Sequence, residues 1–83
     1  MLDVKNLNNE QVKQIVRQTH PLREDGHYHS TKMSGGKLII YLDKHKDYYL
    51  VVSENEEAEL YIDGALCEEK YPIDFDAVNR IAA

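Results

Sequence analysis

A two-residue turn in the second half of the chain restricts the fold more than any other feature of the sequence. Asp63 and Gly64 separate two short runs of β-compatible residues, 59–62 and 65–69. Asp-Gly is strongly favoured in type I′ turns, because both central positions of that turn need a positive φ angle. The sequence therefore predicts an antiparallel hairpin, in which residues equally distant from the turn lie opposite each other.

The residues before this hairpin also follow a strand pattern. Residues 38–42 and 48–52 are apolar on both faces of an extended chain, which predicts that these two strands lie inside a sheet rather than at its edges. A weaker strand is predicted over residues 27–33, with Ser34–Gly35–Gly36 as the turn that follows it. The pattern favours four or five antiparallel strands paired in sequence order.

Helix signals flank this predicted sheet. Asn8 and Gln11 have the spacing of a capping box, and Pro21 disfavours helical conformation at the residue before it. A helix is therefore predicted over residues 7–19, with an apolar stripe made of Val12, Ile15 and Val16. Asp74 is placed to cap a second helix, which is short and needs the sheet for stability.

The sequence thus predicts an α+β fold with an N-terminal helix, a four- to five-stranded antiparallel meander sheet and a short C-terminal helix. A chain of 83 residues has room for one domain, residues 1–83. We expect the first helix to pack across one face of the sheet. The second helix is expected at an edge or on the other face.

Charge is distributed unevenly along the chain. Residues 1–46 carry a net charge of +3 and residues 47–83 carry −8, which the overall value of −5 conceals. This acidic balance argues against binding to nucleic acid or to an anionic membrane. A basic nucleic-acid surface made of Lys32, Lys37, Lys44 and Lys46 is the weaker alternative.

The predicted hairpin concentrates acidic groups around an apolar pair. Its register sets Tyr61 opposite Leu66, and it sets Glu59 opposite Glu68, although like charges in that position oppose folding by about 0.2–1 kcal/mol. Such a surface suits the docking of a protein with a basic surface. The candidate partner-binding residues are Glu59, Tyr61, Asp63, Leu66 and Glu68. The alternatives are a hairpin that is acidic only for solubility, or a C-terminal helix that covers Tyr61 and Leu66.

The same alternation assigns the other side of the hairpin to the core. Four residues are expected there, namely Leu60, Ile62, Ala65 and Cys67. Cys67 is the only cysteine, so it cannot form an internal disulfide, and we expect it to be buried and inert. The N-terminal segment lacks the apolar run of a secretory signal, and we expect a cytoplasmic protein.

A group of histidines supplies the competing hypothesis of a metal-binding protein. His27 and His29 would point to the same side if residues 27–33 formed a strand, and they could then bind one divalent transition metal. His20 or Asp25 would be the third ligand. A His-x-His pair is not specific to metal sites, so this is the alternative function and no other cofactor is expected.

No catalytic motif was found, and we expect no enzyme. Ser34–Gly35–Gly36–Lys37 lacks the spacing of a phosphate-binding loop. The preferred function is a small acidic interaction module, an inhibitor or regulator of a larger protein, with imitation of nucleic-acid phosphates as a special case. A homodimer joined at the 27–33 edge strand is a further expectation, because free sheet edges pair readily.

Overall fold

One helix, five strands and a second helix follow one another along the chain. The structure is a computed structural model that describes residues 3–19, 25–54 and 57–81. Its elements are α1 (Asn9–Thr19), β1 (Ser30–Ser34), β2 (Lys37–Tyr41), β3 (Tyr48–Val52), β4 (Glu57–Ile62), β5 (Ala65–Pro72) and α2 (Phe75–Asn79). The strands form a single antiparallel sheet in sequence order. The predicted α+β fold is confirmed.

Helix α1 begins at the predicted capping box. The backbone N–H of Gln11 donates to Oδ1 of Asn8 at 2.9 Å, and the backbone N–H of Asn8 donates to Oε1 of Gln11 at 2.9 Å. Two N–H groups that have no partner inside the helix are thereby satisfied. The helix ends at Thr19, immediately before the position where Pro21 predicts its end.

The core lies between the helices and one face of the sheet. Along β2 and β3 the buried residues alternate with half-buried ones, so only one face of each strand is covered. The two strands are inner strands of the sheet, as predicted. The buried apolar residues are Val4, Val12, Ile15, Val16, Leu38, Ile40, Leu42, Leu50, Val52, Ala58, Leu60, Ile73, Phe75 and Val78.

Helix α2 lies beside α1 on that same face. Gln18 holds its start, because Oε1 accepts the backbone N–H of Asp74 at 2.7 Å and Nε2 donates to the Asp74 carbonyl at 3.2 Å. Gln11 Nε2 donates to the carbonyl of Val78 at 3.2 Å. Phe75 and Val78 of α2 share the core with α1, so the expectation that the second helix could lie on the opposite face was wrong, and neither helix covers that face.

Both two-residue turns have the backbone of a type I′ turn. Asp63 and Gly64 have φ angles of 53° and 78°, and Gly35 and Gly36 have φ angles of 58° and 79°. These values confirm the hairpin predicted from Asp-Gly, because only the I′ turn places both central residues at positive φ.

The register of the β4–β5 hairpin differs from the predicted one beyond the first two pairs. Ile62 pairs with Ala65 and Tyr61 with Leu66, but Leu60 then pairs with Glu68, and the register shifts again before Ala58. β5 therefore holds more residues than the part of β4 it pairs with, as in β-bulges, which are common at sheet edges. The predicted opposition of Glu59 and Glu68 was wrong, since the shift displaces Glu68 along β4.

The tip of this hairpin extends beyond the core. Residues 62–67 are all exposed, including Cys67, and Ile62 is 43% exposed. The expectation that Ile62, Ala65 and Cys67 belong to the core was wrong, and only Leu60 of that set is buried. The alternation of side chains along a strand predicts the face of the sheet on which each side chain lies. Burial of a side chain also requires a helix that packs over that part of the sheet.

Candidate protein-interaction site on the open sheet face

The face of the sheet that the helices leave uncovered carries the candidate site. Residues two apart on a strand share a face, so the strand pairings fix its composition. We call this surface the open face, and we define it by Lys32, Lys37, Ile39, Tyr41, Tyr49, Val51, Glu57, Glu59, Tyr61 and Leu66. Its central residues are half-buried, and its lysines and Leu66 are exposed.

Three tyrosines form a row across the middle strands of the open face. Tyr41 pairs with Tyr49, and Tyr49 pairs with Tyr61. The rings of Tyr41 and Tyr49 meet edge to face with centroids 5.8 Å apart, and those of Tyr49 and Tyr61 are stacked at 5.1 Å with 9° between their planes. Such pairs contribute about 0.5–1.5 kcal/mol beyond the area they bury. The row is therefore a continuous aromatic surface.

Leu66 extends this row onto the edge strand. It pairs with Tyr61, as predicted, and it is 45% exposed. The predicted apolar pair is thus on the open face, and α2 does not cover it. Tyr61 is half-buried, and its ring is stacked on that of Tyr49.

Positive and negative side chains lie on opposite sides of the open face. Lys32 on β1 and Lys37 on β2 lie on one side, and Glu57 and Glu59 on β4 lie on the other. Lys46 adds a positive charge on the lysine side, since its Nζ lies 5.2 Å from the centroid of the Tyr41 ring. This contact is worth about 0.5–1 kcal/mol at an exposed site.

The predicted partner-binding residues divide into three groups. Glu59, Tyr61 and Leu66 are brought together on the open face. Asp63 is exposed in the hairpin turn. The side chain of Glu68 lies outside the described part of the structure.

Sequence reasoning missed Tyr41 and Tyr49, which form most of the tyrosine row. They could have been found from the alternation in residues 38–42 and 48–52, because the polar loop between these segments predicts an antiparallel pair. What the alternation could not show is that their face is the one without a helix.

The histidine segment does not form the predicted strand over its whole length. β1 begins at Ser30, so His27 and His29 precede the sheet, and both are exposed. Oδ1 of Asp25 accepts the backbone N–H of His27 at 3.0 Å. His20 lies outside the described residues. Within residues 3–19, 25–54 and 57–81, no three or more side chains of the metal-ligating types are grouped to hold an ion.

Comparisons with known proteins add no functional information. Protein-family models, curated proteins and solved structures were compared with the chain, and none of them matches it. Neither α1 nor α2 is long and apolar enough to cross a membrane, and no other helix occurs in the described residues.

Proposed function

We propose that this chain is a protein–protein interaction module, an inhibitor or regulator of a larger protein, that binds its partner through the open face. The observation that carries the proposal is the row of Tyr41, Tyr49 and Tyr61 on a sheet face that neither helix covers. Tyrosine is enriched at the centres of protein interfaces, since it offers a large contact area with few rotatable bonds.

The acidic side of the open face indicates the charge of the partner. Glu57 and Glu59 stand on β4 next to the tyrosine row, and Asp63 follows in the turn. Carboxylates at the rim of an aromatic patch accelerate association with a basic surface and disfavour acidic partners. The partner surface is therefore expected to present lysine or arginine side chains opposite β4.

Two features argue against nucleic acid as the partner. Bases stack on aromatic rings whose faces are free, but the faces of Tyr49 and Tyr61 are stacked on each other. The carboxylates of Glu57 and Glu59 also repel a phosphate backbone. A protein surface does not need the ring faces, because it can pack against the ring edges and hydroxyl groups.

The test is capture of partners from an extract of the source cells by the immobilised chain. A specific protein should be retained at low salt and released at raised salt. The double variant Tyr61→Ala with Glu59→Lys should lose it, because truncation of an interface aromatic commonly costs about 2 kcal/mol or more.

Asp76→Lys is the matched control, because Asp76 is exposed on α2 and the change reverses one charge away from the open face. This variant should retain the partner. Equal capture by a folded Tyr61→Ala/Glu59→Lys variant would show that the open face is not the contact surface. Circular dichroism establishes that both variants are folded.

A further inference from the structure

The charges of the open face are arranged so that a second copy of the same chain complements them. Lys32 and Glu59 occupy one row across the strands, joined by the pairs Lys32–Ile39, Ile39–Val51 and Val51–Glu59. Lys37 and Glu57 lie in the next row, on β2 and β4, where the backbone N–H of Ser53 donates to the Glu57 carbonyl at 3.2 Å. In each row a lysine thus lies on the β1–β2 side of β3, and a glutamate lies on β4.

We propose that the open face, when no other protein occupies it, binds a second copy of this chain in a symmetric dimer whose two-fold axis runs parallel to the strands and close to β3. This inference rests on the proposed function in one respect, because it takes the same face as the contact surface. The basic group expected opposite Glu57 is then Lys37 of the second copy, and the one expected near Glu59 is Lys32 of the second copy.

The geometry follows from the symmetry operation. A rotation by 180° about an axis along β3 exchanges the β2 side with the β4 side and keeps every row at its own level. Tyr49 then lies over Tyr49 of the second copy, and Tyr41 lies over Tyr61 of the second copy. The strand directions of the two sheets stay aligned, which is the common arrangement of two sheets packed face to face.

The same rotation brings opposite charges together. Lys37 on β2 comes to lie over Glu57 of the second copy, and Lys32 on β1 comes to the level of Glu59 of the second copy, one strand farther from the axis. A two-fold axis perpendicular to the strands would instead place lysines over lysines and glutamates over glutamates, which is unfavourable. The charge division selects one of the two aligned face-to-face dimers.

The size of the face sets the expected strength of the dimer. Five strands about 4.8 Å apart and about five residues long cover roughly 400 Å² in projection, which places the interface at the small end of specific contacts. The dimer should therefore dissociate in the micromolar range and respond to salt.

A charge-reversal experiment tests the pairing. The first variant, Glu57→Lys with Glu59→Lys, makes both sides of the open face positive, and the second, Lys32→Glu with Lys37→Glu, makes both sides negative. Sedimentation equilibrium should give the wild type a mass approaching twice the chain mass of 9.6 kDa at high micromolar concentration. Each variant alone should stay at the monomer mass, because like charges then face each other.

An equimolar mixture of the two variants should regain the dimer mass, since every facing pair is then opposite in sign. General attraction between oppositely charged proteins does not explain such recovery. The net charge of −5 rises by four in the first variant and falls by four in the second, so both variants remain negative. Recovery on mixing also shows that both variants are folded.

A second measurement covers the case in which a variant does not fold. Val51 lies next to the proposed axis, so the two copies of this residue face each other in the dimer. In a Cys67→Ser background, Val51→Cys should therefore be cross-linked by a bis-maleimide whose length matches the roughly 10 Å between packed sheets. Thr31→Cys, at the β1 edge, should not be joined. Cross-linking of Thr31→Cys alone contradicts the face-to-face arrangement.

Three results would overturn the proposal: a wild type that is monomeric at every concentration, a dimer that persists in each charge variant alone, or a mixture that does not associate.

The homodimer joined at the β1 edge, which the sequence predicts, would be recognised by a different result. Ser34 and Lys37 are the pair that closes the β1–β2 turn, so their backbones are hydrogen-bonded to each other. Hydrogen-bonded and non-hydrogen-bonded pairs alternate along antiparallel strands. The N–H groups of Thr31 and Met33 therefore point away from β2, to the free edge of the sheet. Loss of the dimer in Thr31→Pro, with retention in the charge variants, would assign it to that edge.

These outcomes are separate from a failure of the proposed function. A monomeric wild type that still captures a basic protein through Tyr61 and Glu59 leaves the interaction module standing and removes only the second copy as its partner. A dimer that passes the charge test while no other protein is captured leaves self-association as the activity of the open face.

Discussion

Gly26 is the residue at which one added methyl group should disturb the molecule most. Its φ angle is +70°, and a Cβ atom there would overlap the backbone of Lys13 on α1. A left-handed backbone costs an L-residue about 1–2 kcal/mol, and the overlap adds to this cost because backbone cannot move aside. Gly26→Ala should lower the free energy of unfolding by about 3 kcal/mol or more, as measured by urea denaturation.

Gly36 provides the control for this prediction. Its φ angle is +79°, similar to that of Gly26, but nothing lies within 4 Å of a Cβ added there. Gly36→Ala should therefore cost only the free energy of the left-handed backbone, about 1–2 kcal/mol. Equal losses in the two variants would mean that the contact between Gly26 and α1 does not limit stability.

Tyr28 connects the same segment to the start of α1. It packs against the core, and its hydroxyl donates to Oδ1 of Asn9. Burial, and to a lesser extent the negative charge of Glu10, raise the pKa of Tyr28 above its usual value of 10.0. The folded state therefore holds the phenol proton more tightly than the unfolded state does.

The raised pKa gives stability a defined dependence on pH. The contribution of Tyr28 is fully present below about pH 10, the unfolded value, and is lost as the pH rises through the higher folded value. Tyr28→Phe should remove this component, so the difference in stability between wild type and variant should shrink above pH 10. The measurement should run from about pH 8 to about pH 11, which brackets the usual pKa of tyrosine. If the stability difference between wild type and Tyr28→Phe stays constant over this range, the prediction is contradicted.

At the scale of elements, side-chain hydrogen bonds from α1 hold α2. A helix of five residues is not stable alone in water. Gln11 and Gln18, two turns apart on α1, bind the last turn of α2 and the residue before its start. Asp74, which Gln18 holds at both backbone groups, accepts the N–H of Ala77 at 3.2 Å as the N-cap.

Removal of this link should release α2. Gln18→Ala should cost about 1–2 kcal/mol, since it deletes two hydrogen bonds across elements, and it should speed amide hydrogen exchange in Phe75–Asn79. Gln14→Ala is the control, because the Gln14 side chain accepts its hydrogen bonds from Arg17 within α1. Unchanged exchange in α2 of the Gln18 variant would show that apolar burial alone holds this helix.

The β4–β5 hairpin shows what turn chemistry determines and what it does not. The I′ turn sets the two pairs next to it, Ile62–Ala65 and Tyr61–Leu66, and both were predictable. The shift that follows was not, because a bulge leaves no mark in this sequence comparable to Asp63–Gly64. The shift displaces Glu68 from Glu59, which removes the like-charge opposition expected from an ideal hairpin.

At the scale of the whole molecule, the metal hypothesis stays a prediction. It requires zinc to bind His27 and His29, with His20 or Asp25 as the third ligand. Titration calorimetry with zinc at pH 7.5, about one unit above the usual pKa of histidine, should then show heat of binding. The double variant His27→Ala with His29→Ala should show none. Absence of heat and of any shift in melting temperature with excess zinc would end this hypothesis. His45→Ala is the control, since His45 is exposed in the β2–β3 loop.

The sequence by itself determined the local elements, because their causes are local. The capping box at Asn8 and Gln11, the Asp74 cap and the glycine-containing turns at 35–36 and 63–64 each act within a few residues. Apolar alternation added the order of the strands, since antiparallel strands joined by short turns pair with their neighbours. The predicted elements and the α+β fold followed from these signals.

Only the tertiary structure decided which face of the sheet is covered. Residues 38–42 and 48–52 are apolar on both sides, so their sequence suits a helix on either face. Hydrogen bonds from Gln11 and Gln18 hold α2 on the face of the sheet where α1 packs. The tyrosine row therefore lies on the face that no helix covers. The candidate site thus depends on contacts between residues 56 or more positions apart along the chain, which no local pattern encodes.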